Sequence, residues 1–321
     1  MYKVYVTDHA FLNLDLERAV LNGLADVVDL NPTRTEDEVI ARSADADALM
    51  VSFAPITARV LKALPKLHGI LRYGVGFDNV DIQAASLRGA WVANVPDYCI
   101  PEVADHAMAM LLTLARKLPM LDASLRRSEW AAVKTSKPIY RLEGRTLGLV
   151  GMGRIGREVA KRAHGFGLKV IVADKYLTAS KASEAGATLV NFDQLLQASD
   201  YVSIHAPLTP ETQHLISTSA LVKMKPSALL INVSRGGIVD TLALAQALHD
   251  GIIAGAGIDV FEKEPLEDNH PIRSAPNTVL AAHSAWYSEE AMAQLQRSAG
   301  EEVARMLRGE RPKNALNEVS R

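Results

Sequence analysis

The strongest constraint on the fold is a repeated alternation of short apolar runs with segments of helical pattern. In the first hundred residues the strand-like runs are 3–7, 26–30, 48–52, 69–72 and 91–95, with helix-like segments such as 35–43 and 58–63 between them. Strands that alternate with helices form parallel sheets that are covered on both faces. The sequence therefore predicts an α/β fold.

A second series of the same kind begins near residue 145. Its strands are predicted at 145–150, 169–173, 188–190, 201–204, 228–233, 255–259 and 279–282, and a helix-like stretch at 289–307 closes the chain. A chain of 321 residues is long enough for two ordinary domains. We expect two doubly wound parallel-sheet domains, with ligands in a cleft between them at the carboxyl ends of strands.

The segment between the two series predicts a buried helix. Pro101 suits the first turn of a helix, and residues 103–118 are apolar nearly all round. Such a helix must be buried on several sides. A linking helix in a subunit interface and a central core helix would both satisfy that requirement.

The composition is typical of a soluble globular protein. It is 48% hydrophobic and 22% charged with a net charge of -2, which gives no reason to expect a nucleic-acid or membrane partner. The single cysteine, Cys99, excludes an intrachain disulfide and fits a reducing compartment. No apolar run is long enough to span a bilayer. We expect a cytoplasmic protein without a metal site.

A glycine-rich turn follows the first strand of the second series. Gly151, Gly153 and Gly156 have the spacing Gly-x-Gly-x-x-Gly between an apolar strand and a helical segment. Such glycines allow a tight turn, close approach of the backbone to a pyrophosphate, and close helix–strand packing. The new helix, with Arg154 and Ile155 near its start, presents its N–H groups to the phosphates. The turn therefore predicts a dinucleotide site.

The strand at 169–173 is followed by Asp174. A carboxylate in this place accepts hydrogen bonds from the adenosine ribose hydroxyls and repels a 2′-phosphate. We therefore expect NAD(H) rather than NADP(H), although the adjoining Lys175 weakens that preference.

Three chemically active side chains follow three later strands. Arg235, Glu264 and His283 come after the strands at 228–233, 255–259 and 279–282, and parallel strands bring their carboxyl ends to one edge. A histidine can protonate the alkoxide that forms when a hydride reaches a carbonyl, and a carboxylate can orient the ring. An arginine can bind a substrate carboxylate and polarise the keto group. The set predicts a 2-keto acid reductase or its reverse.

Several motifs in order resemble the D-isomer-specific 2-hydroxyacid dehydrogenases over essentially the whole chain. They are the segments 72–81, 151–156, 205–209, 232–240 and 257–265, together with His283. The resemblance implies that Arg235, Glu264 and His283 are the catalytic set of a homodimeric NAD-dependent enzyme. It also implies a flavodoxin-like substrate domain, 1–99 plus 288–321, and a Rossmann NAD-binding domain, 100–287, that includes the linking and dimerisation helix.

The resemblance implies binding residues as well. The backbone at Val75 and Gly76 matches the loop that binds the substrate carboxylate, and Asp259 matches the aspartate that holds the nicotinamide carboxamide. Further cofactor contacts are expected at His205, Pro207, Thr212 and Val233.

The segments 259–266 and 283–291 are most similar to C-terminal-binding-protein corepressors, in which the tryptophan matching Trp286 lines the substrate pocket. Two alternatives therefore stay open beside the keto acid reductase. One is an NAD(H)-sensing, corepressor-like binding protein. The other is a phosphoglycerate dehydrogenase.

Overall fold

The chain divides into two compact units, each with one parallel sheet. Unit 1 comprises Met1–Cys99 and Tyr287–Arg321, and unit 2 comprises Ile100–Trp286. The computed structural model describes residues 1–319. The prediction of two parallel-sheet α/β domains is confirmed.

The first part of unit 1 contains five strands and four short helices. In chain order they are β1 (Tyr2–Val6), α1 (Asp15–Val20), β2 (Ala25–Asp29), α2 (Glu36–Arg42), β3 (Ala48–Val51), α3 (Ala58–Ala63), β4 (Gly69–Arg72), α4 (Ile82–Leu87) and β5 (Trp91–Asn94). The strands pair in the order β2-β1-β3-β4-β5, and all the pairs are parallel. This is the flavodoxin-like order.

Unit 2 contains seven strands and eight α-helices among its described residues. In chain order they are α5 (Ile100–Ala115), α6 (Leu118–Arg126), α7 (Ala132–Ser136), β6 (Thr146–Val150), α8 (Arg154–Gly165), β7 (Lys169–Ala173), α9 (Ala179–Glu184), β8 (Ala187–Leu189), α10 (Phe192–Ala198), β9 (Tyr201–Ile204), α11 (Thr218–Leu221), β10 (Leu229–Asn232), α12 (Thr241–His249), β11 (Gly255–Ile258) and β12 (Thr278–Leu280). Short 3₁₀ helices lie at Gly236–Ile238 and Pro271–Ser274.

The seven strands of unit 2 form one parallel sheet in the order β12-β11-β10-β9-β6-β7-β8. The order reverses between β6 and β9, which places the Rossmann topological switch point at that pair. Strands β9, β10 and β11 are buried along their whole length because helices cover the sheet, so their sequences are apolar runs rather than alternating ones.

The chain returns to unit 1 with α13 (Glu289–Leu307), which packs on α1 and on β4. Its first turn is capped by Ser288, whose hydroxyl accepts a hydrogen bond from the Ala291 N–H. Across the described range, residues 1–319, no helix has both the length and the apolar character that a membrane span requires.

The helix predicted over 103–118 ends earlier in the structure. Helix α5 ends at Ala115, Lys117 adopts a left-handed conformation with φ of 52°, and α6 begins at Leu118. Pro119 lacks an N–H and clashes with the preceding turn, so one helix cannot run through this point. Helix α5 packs on α8, β10 and β11 within its own unit, while Asp105 and Ala109 are exposed.

Candidate active site

The site in unit 2 lies at the edge where its parallel strands end. The loops that follow six of these strands, β6, β7, β9, β10, β11 and β12, all start from this edge. Together with the first turn of α8, they contain every predicted residue of unit 2, namely Gly151, Gly153, Arg154, Ile155, Gly156, Asp174, His205, Pro207, Thr212, Val233, Arg235, Asp259, Glu264, His283 and Trp286.

The glycine turn after β6 passes very close to the loop after β9. Gly151 has φ of 88°, and a Cβ there would lie 2.9 Å from the His205 carbonyl oxygen and the Ala206 nitrogen. No other residue type fits this backbone and this contact without strain. The turn therefore sits at the switch point between β6 and β9.

The turn leaves room for a phosphate at the start of α8. Gly153 precedes this twelve-residue helix without a side-chain cap, and no atom lies within 4 Å of the position where its Cβ would be. The first turn includes the N–H groups of Arg154 and Ile155. They would face a ligand here, together with the positive end of the helix dipole. These features fit the pyrophosphate of a dinucleotide.

Asp174 lies beside the same turn. Its two carboxylate oxygens accept hydrogen bonds from the Met152 N–H and the Tyr176 N–H, each at 2.9 Å. The Met152 bond ties the end of β7 to the glycine turn. A carboxylate in this position is suited to accept hydrogen bonds from an adenosine ribose, and it would repel a 2′-phosphate.

The loop after β9 contributes a half-buried imidazole and a closed turn. His205 Nε2 lies 2.8 Å from Ser203 Oγ, and burial lowers the pKa of His205 to about 4, so the ring is neutral near neutral pH. The Thr212 hydroxyl donates to the Pro207 carbonyl at 2.7 Å and accepts from the Thr209 N–H at 2.7 Å. Both features shape the loop that faces the glycine turn.

Arg235 is placed by the residues on either side of it. Asn232, fully buried at the end of β10, donates from Nδ2 to the Arg235 carbonyl at 3.0 Å and accepts from the Ser234 N–H at 3.1 Å. Gly236 packs so closely on Phe261 that a Cβ would overlap the Phe261 carbonyl. The loop of Arg235 therefore lies directly against the loop that leads to Glu264.

Glu264 and His283 form a hydrogen-bonded pair. His283 Nδ1 lies 2.7 Å from Glu264 Oε2, while Glu264 Oε1 accepts from the Phe261 N–H at 2.9 Å. Burial acts to raise the pKa of Glu264, but the bond and charge of His283, the Phe261 N–H and the charge of Arg235 outweigh it and lower that pKa. The carboxylate is therefore ionised and holds the imidazole through Nδ1.

Asp259 fixes the backbone that bears His283. The carboxylate is 1% exposed and accepts hydrogen bonds from the N–H groups of Ser284, at 2.8 Å, and Ala285, at 3.0 Å. The His283 N–H donates to the Asp259 carbonyl at 2.7 Å. His283 has φ of 53°, which is costly for a non-glycine residue and persists only where the surroundings impose it. Asp259 supplies that constraint.

The remaining predicted residues lie on other segments. Val75 and Gly76 belong to unit 1, in the loop after β4. Trp286, half-buried, is the last residue of unit 2 and follows His283 by three positions. Val233, 7% exposed, directly follows β10.

The sequence reasoning missed Asn232 as a residue that holds the site. The available signal was its place, since β10 reads Leu-Leu-Ile-Asn and the asparagine ends an apolar buried strand. A buried amide at such a position must find hydrogen-bond partners, and the adjoining loop is the nearest source.

Comparison with known proteins gives a consistent picture. Residues 108–285 match the family described as D-isomer specific 2-hydroxyacid dehydrogenase, NAD binding domain. A glyoxylate reductase of Korarchaeum cryptofilum is 41% identical over 283 residues, which cover 87% of this chain and 85% of that protein. A D-3-phosphoglycerate dehydrogenase of Mycobacterium tuberculosis is also 41% identical over 88% of this chain, but only 53% of that protein is covered.

A solved structure matches nearly the whole chain. D-lactate dehydrogenase from Aquifex aeolicus, complexed with NAD and lactic acid, superposes with a TM-score of 0.85 at 28% identity. The match covers 95% of this chain and 96% of that one.

The lowered pKa of Glu264 predicts a pH-dependent contribution to stability. This contribution is present above the ordinary carboxyl pKa of 4.5 and is lost as the pH falls through the lower pKa of the folded protein. Glu264→Gln should therefore reduce the free energy of unfolding more at about pH 7 than at about pH 3.5. Urea denaturation of both proteins measures the difference, and an equal loss at the two pH values would contradict the assignment.

Proposed function

The chain belongs to the D-isomer specific 2-hydroxyacid dehydrogenase family, and from this premise we propose a role for each residue of the candidate site. The protein is an NAD-dependent oxidoreductase that interconverts a small 2-keto acid and its D-2-hydroxy acid. The proposal rests on one observation above all. The Glu264–His283 pair, with the charge of Arg235 close enough to lower the pKa of Glu264, lies at the sheet edge that bears the glycine turn.

In this proposal the side chains of unit 2 polarise the substrate and move its proton. A bound nicotinamide cofactor would supply the hydride-transfer chemistry at C2 of the substrate, in either direction. Arg235 polarises the keto oxygen and stabilises the negative charge that develops there. His283 pairs with Glu264 through Nδ1, which assigns proton transfer to Nε2. Glu264 orients the ring and stabilises the imidazolium.

The cofactor is held by groups that surround the switch point. The N–H groups at Gly153, Arg154 and Ile155 take the pyrophosphate, with Gly151 and Gly156 shaping the turn. Asp174 takes the adenosine ribose, and His205, Pro207, Thr212 and Val233 line the loops around the dinucleotide. Asp259 has two roles in this proposal: it holds the backbone around His283, and it binds the nicotinamide carboxamide.

The remaining proposals concern the substrate. The backbone N–H groups of Val75 and Gly76 bind the carboxylate, and Trp286 contacts the substrate tail. A homodimeric assembly and a cytoplasmic location stay predictions from the sequence. A role as an NAD(H)-sensing binding protein also stays a prediction, drawn from the motif at 283–291.

Removal of the imidazole should abolish most of the activity without loss of the cofactor site. We expect His283→Ala to lower kcat by about 10²–10⁴-fold, because the proton donor is lost. Arg235→Ala should lower it by about 10²–10³-fold, because the developing charge loses its partner. NADH oxidation gives kcat, and fluorescence titration gives the Kd for NADH, which should change little.

The exposed His249, at the end of α12, offers a matched control. His249→Ala should keep the wild-type kcat. Turnover close to that of the wild type in His283→Ala would refute the assigned proton donor.

Asp174 should set the preference between the two nicotinamide cofactors. We expect the wild type to have a higher kcat/KM with NADH than with NADPH. Asp174→Ser should narrow that ratio by about tenfold to a hundredfold, since charge-assisted bonds to the ribose are lost and repulsion of the 2′-phosphate is relieved. Steady-state kinetics with both cofactors tests this, with Asp193→Ser on the surface as control. An unchanged ratio would contradict the role.

A substrate screen separates the candidate reactions. We expect NADH oxidation with unphosphorylated keto acids, and the screen compares glyoxylate, pyruvate, hydroxypyruvate, phenylpyruvate and 4-methylthio-2-oxobutyrate with 3-phosphohydroxypyruvate. The chain spans about half the length of the phosphoglycerate dehydrogenases that it matches. A higher kcat/KM for the phosphorylated substrate would favour that alternative. Turnover of none of them would contradict the enzyme assignment.

A further inference from the structure

Strand β5 ends on a buried amide that binds the neighbouring loop. Its sequence is Trp-Val-Ala-Asn, and Asn94 is only 4% exposed at its carboxyl end. The Asn94 side chain donates from Nδ2 to the Val75 carbonyl at 2.6 Å. Val75 lies in the loop that follows β4, whose last residue, Arg72, is paired in register with Asn94. A side chain of β5 therefore reaches across to the loop of the adjacent strand.

The end of β5 holds two successive carbonyls of this loop. Besides the bond from Asn94 to Val75, the Val95 N–H donates to the Gly74 carbonyl at 3.1 Å. In a trans peptide the C=O of one residue and the N–H of the next point in opposite directions. The two bonds therefore fix the directions of the N–H groups of Val75 and Gly76, which both point away from the end of β5.

These two N–H groups form a pair of donors for an anion. Among residues 1–319, no protein acceptor receives a hydrogen bond from either of them. Successive backbone N–H groups that point the same way make a concave anion site. A carboxylate with two oxygens suits such a pair, and bonds to a charged acceptor are stronger than neutral ones.

We propose that Asn94 is a positioning residue for substrate binding. By holding the Val75 carbonyl, its amide aims the Gly76 N–H, and with the Val95–Gly74 bond it sets both donors for the carboxylate of the keto acid. This inference rests on the proposed function, which gives the carboxylate to Val75 and Gly76. Asn94 acts through the backbone and has no contact of its own with the reacting atoms.

A purely structural role would look different, and the same strand supplies the comparison. Asn317, 8% exposed, accepts from the Val92 N–H at 2.8 Å and donates to the Ala90 carbonyl at 2.9 Å. It is thus a buried asparagine of the same unit that is bonded near the start of β5. The Asn317 side chain makes more hydrogen bonds than that of Asn94, including one to the Ser86 hydroxyl, but none of them reaches the loop of Val75.

The test is the split between KM and kcat in Asn94→Ala. We expect the KM for the preferred keto acid to rise about tenfold to a hundredfold, since the alignment of a charge-assisted bond is lost. The kcat should stay within about twofold, because the interaction is equally strong in the ground and transition states. The inhibition constant of oxamate, which has the same carboxylate, should rise with KM, and the Kd for NADH should not change.

Two further variants make the result decisive. Asn317→Ala should lower the melting temperature but keep the wild-type KM. Asn94→Leu keeps a side chain that is branched at Cγ, with a larger volume, and removes the donor without adding a charge. It should reproduce the rise in KM even where Asn94→Ala does not fold. Wild-type turnover together with an unchanged KM and oxamate constant in the folded Asn94 variants would overturn this inference alone. A wild-type protein that reduces no keto acid would overturn the proposed function and this inference with it.

Discussion

Parallel pairing brings the ends of β6, β9, β10, β11 and β12 to one edge of the unit 2 sheet, and the arrangement of the site depends on that constraint. The chain returns to this edge after each strand, so residues tens of positions apart become neighbours, as Gly151 and His205 do. Gly151 then packs on His205, and Gly236 on Phe261. These backbone contacts between loops decide where Arg235, Glu264 and His283 point.

Much of this arrangement could be predicted from the sequence, because it follows from the periodicity of the apolar residues and from the order of the strands along the chain. Every strand expected from the apolar runs is present within two residues, and the glycine turn starts α8 as its spacing predicts. The places of Arg235, Glu264 and His283 follow from the strands that precede them. The sequence did not predict the hydrogen bonds that hold these side chains and their backbone in place. The bonds from Ser284 and Ala285 to Asp259 span about 25 positions and depend on the register of β11 and β12.

The two strands that end in asparagine show the same limit. The sequence places Asn94 and Asn232 at the ends of apolar strands, but their partners depend on how the loops fold back. Asn232 binds its own loop, whereas Asn94 binds the loop of the adjacent strand. The end of α5 was misplaced for a different reason, since the apolar pattern continues past Ala115 while Lys117 and Pro119 stop the helix. The backbone restrictions at these two residues therefore ended the helix, although the spacing of apolar residues continued beyond them.

The contact of Gly236 with the Phe261 carbonyl also limits how the site can be altered. The backbone of Gly236 is in direct contact with the backbone of Phe261. A single methyl group at position 236 would therefore force the two loops apart and move the guanidinium of Arg235 away from Glu264. A library randomised at this position would lose activity through geometry alone, with every reactive group still in the sequence. Engineers who wish to retune the enzyme would therefore keep this junction constant and vary the side chains that it supports.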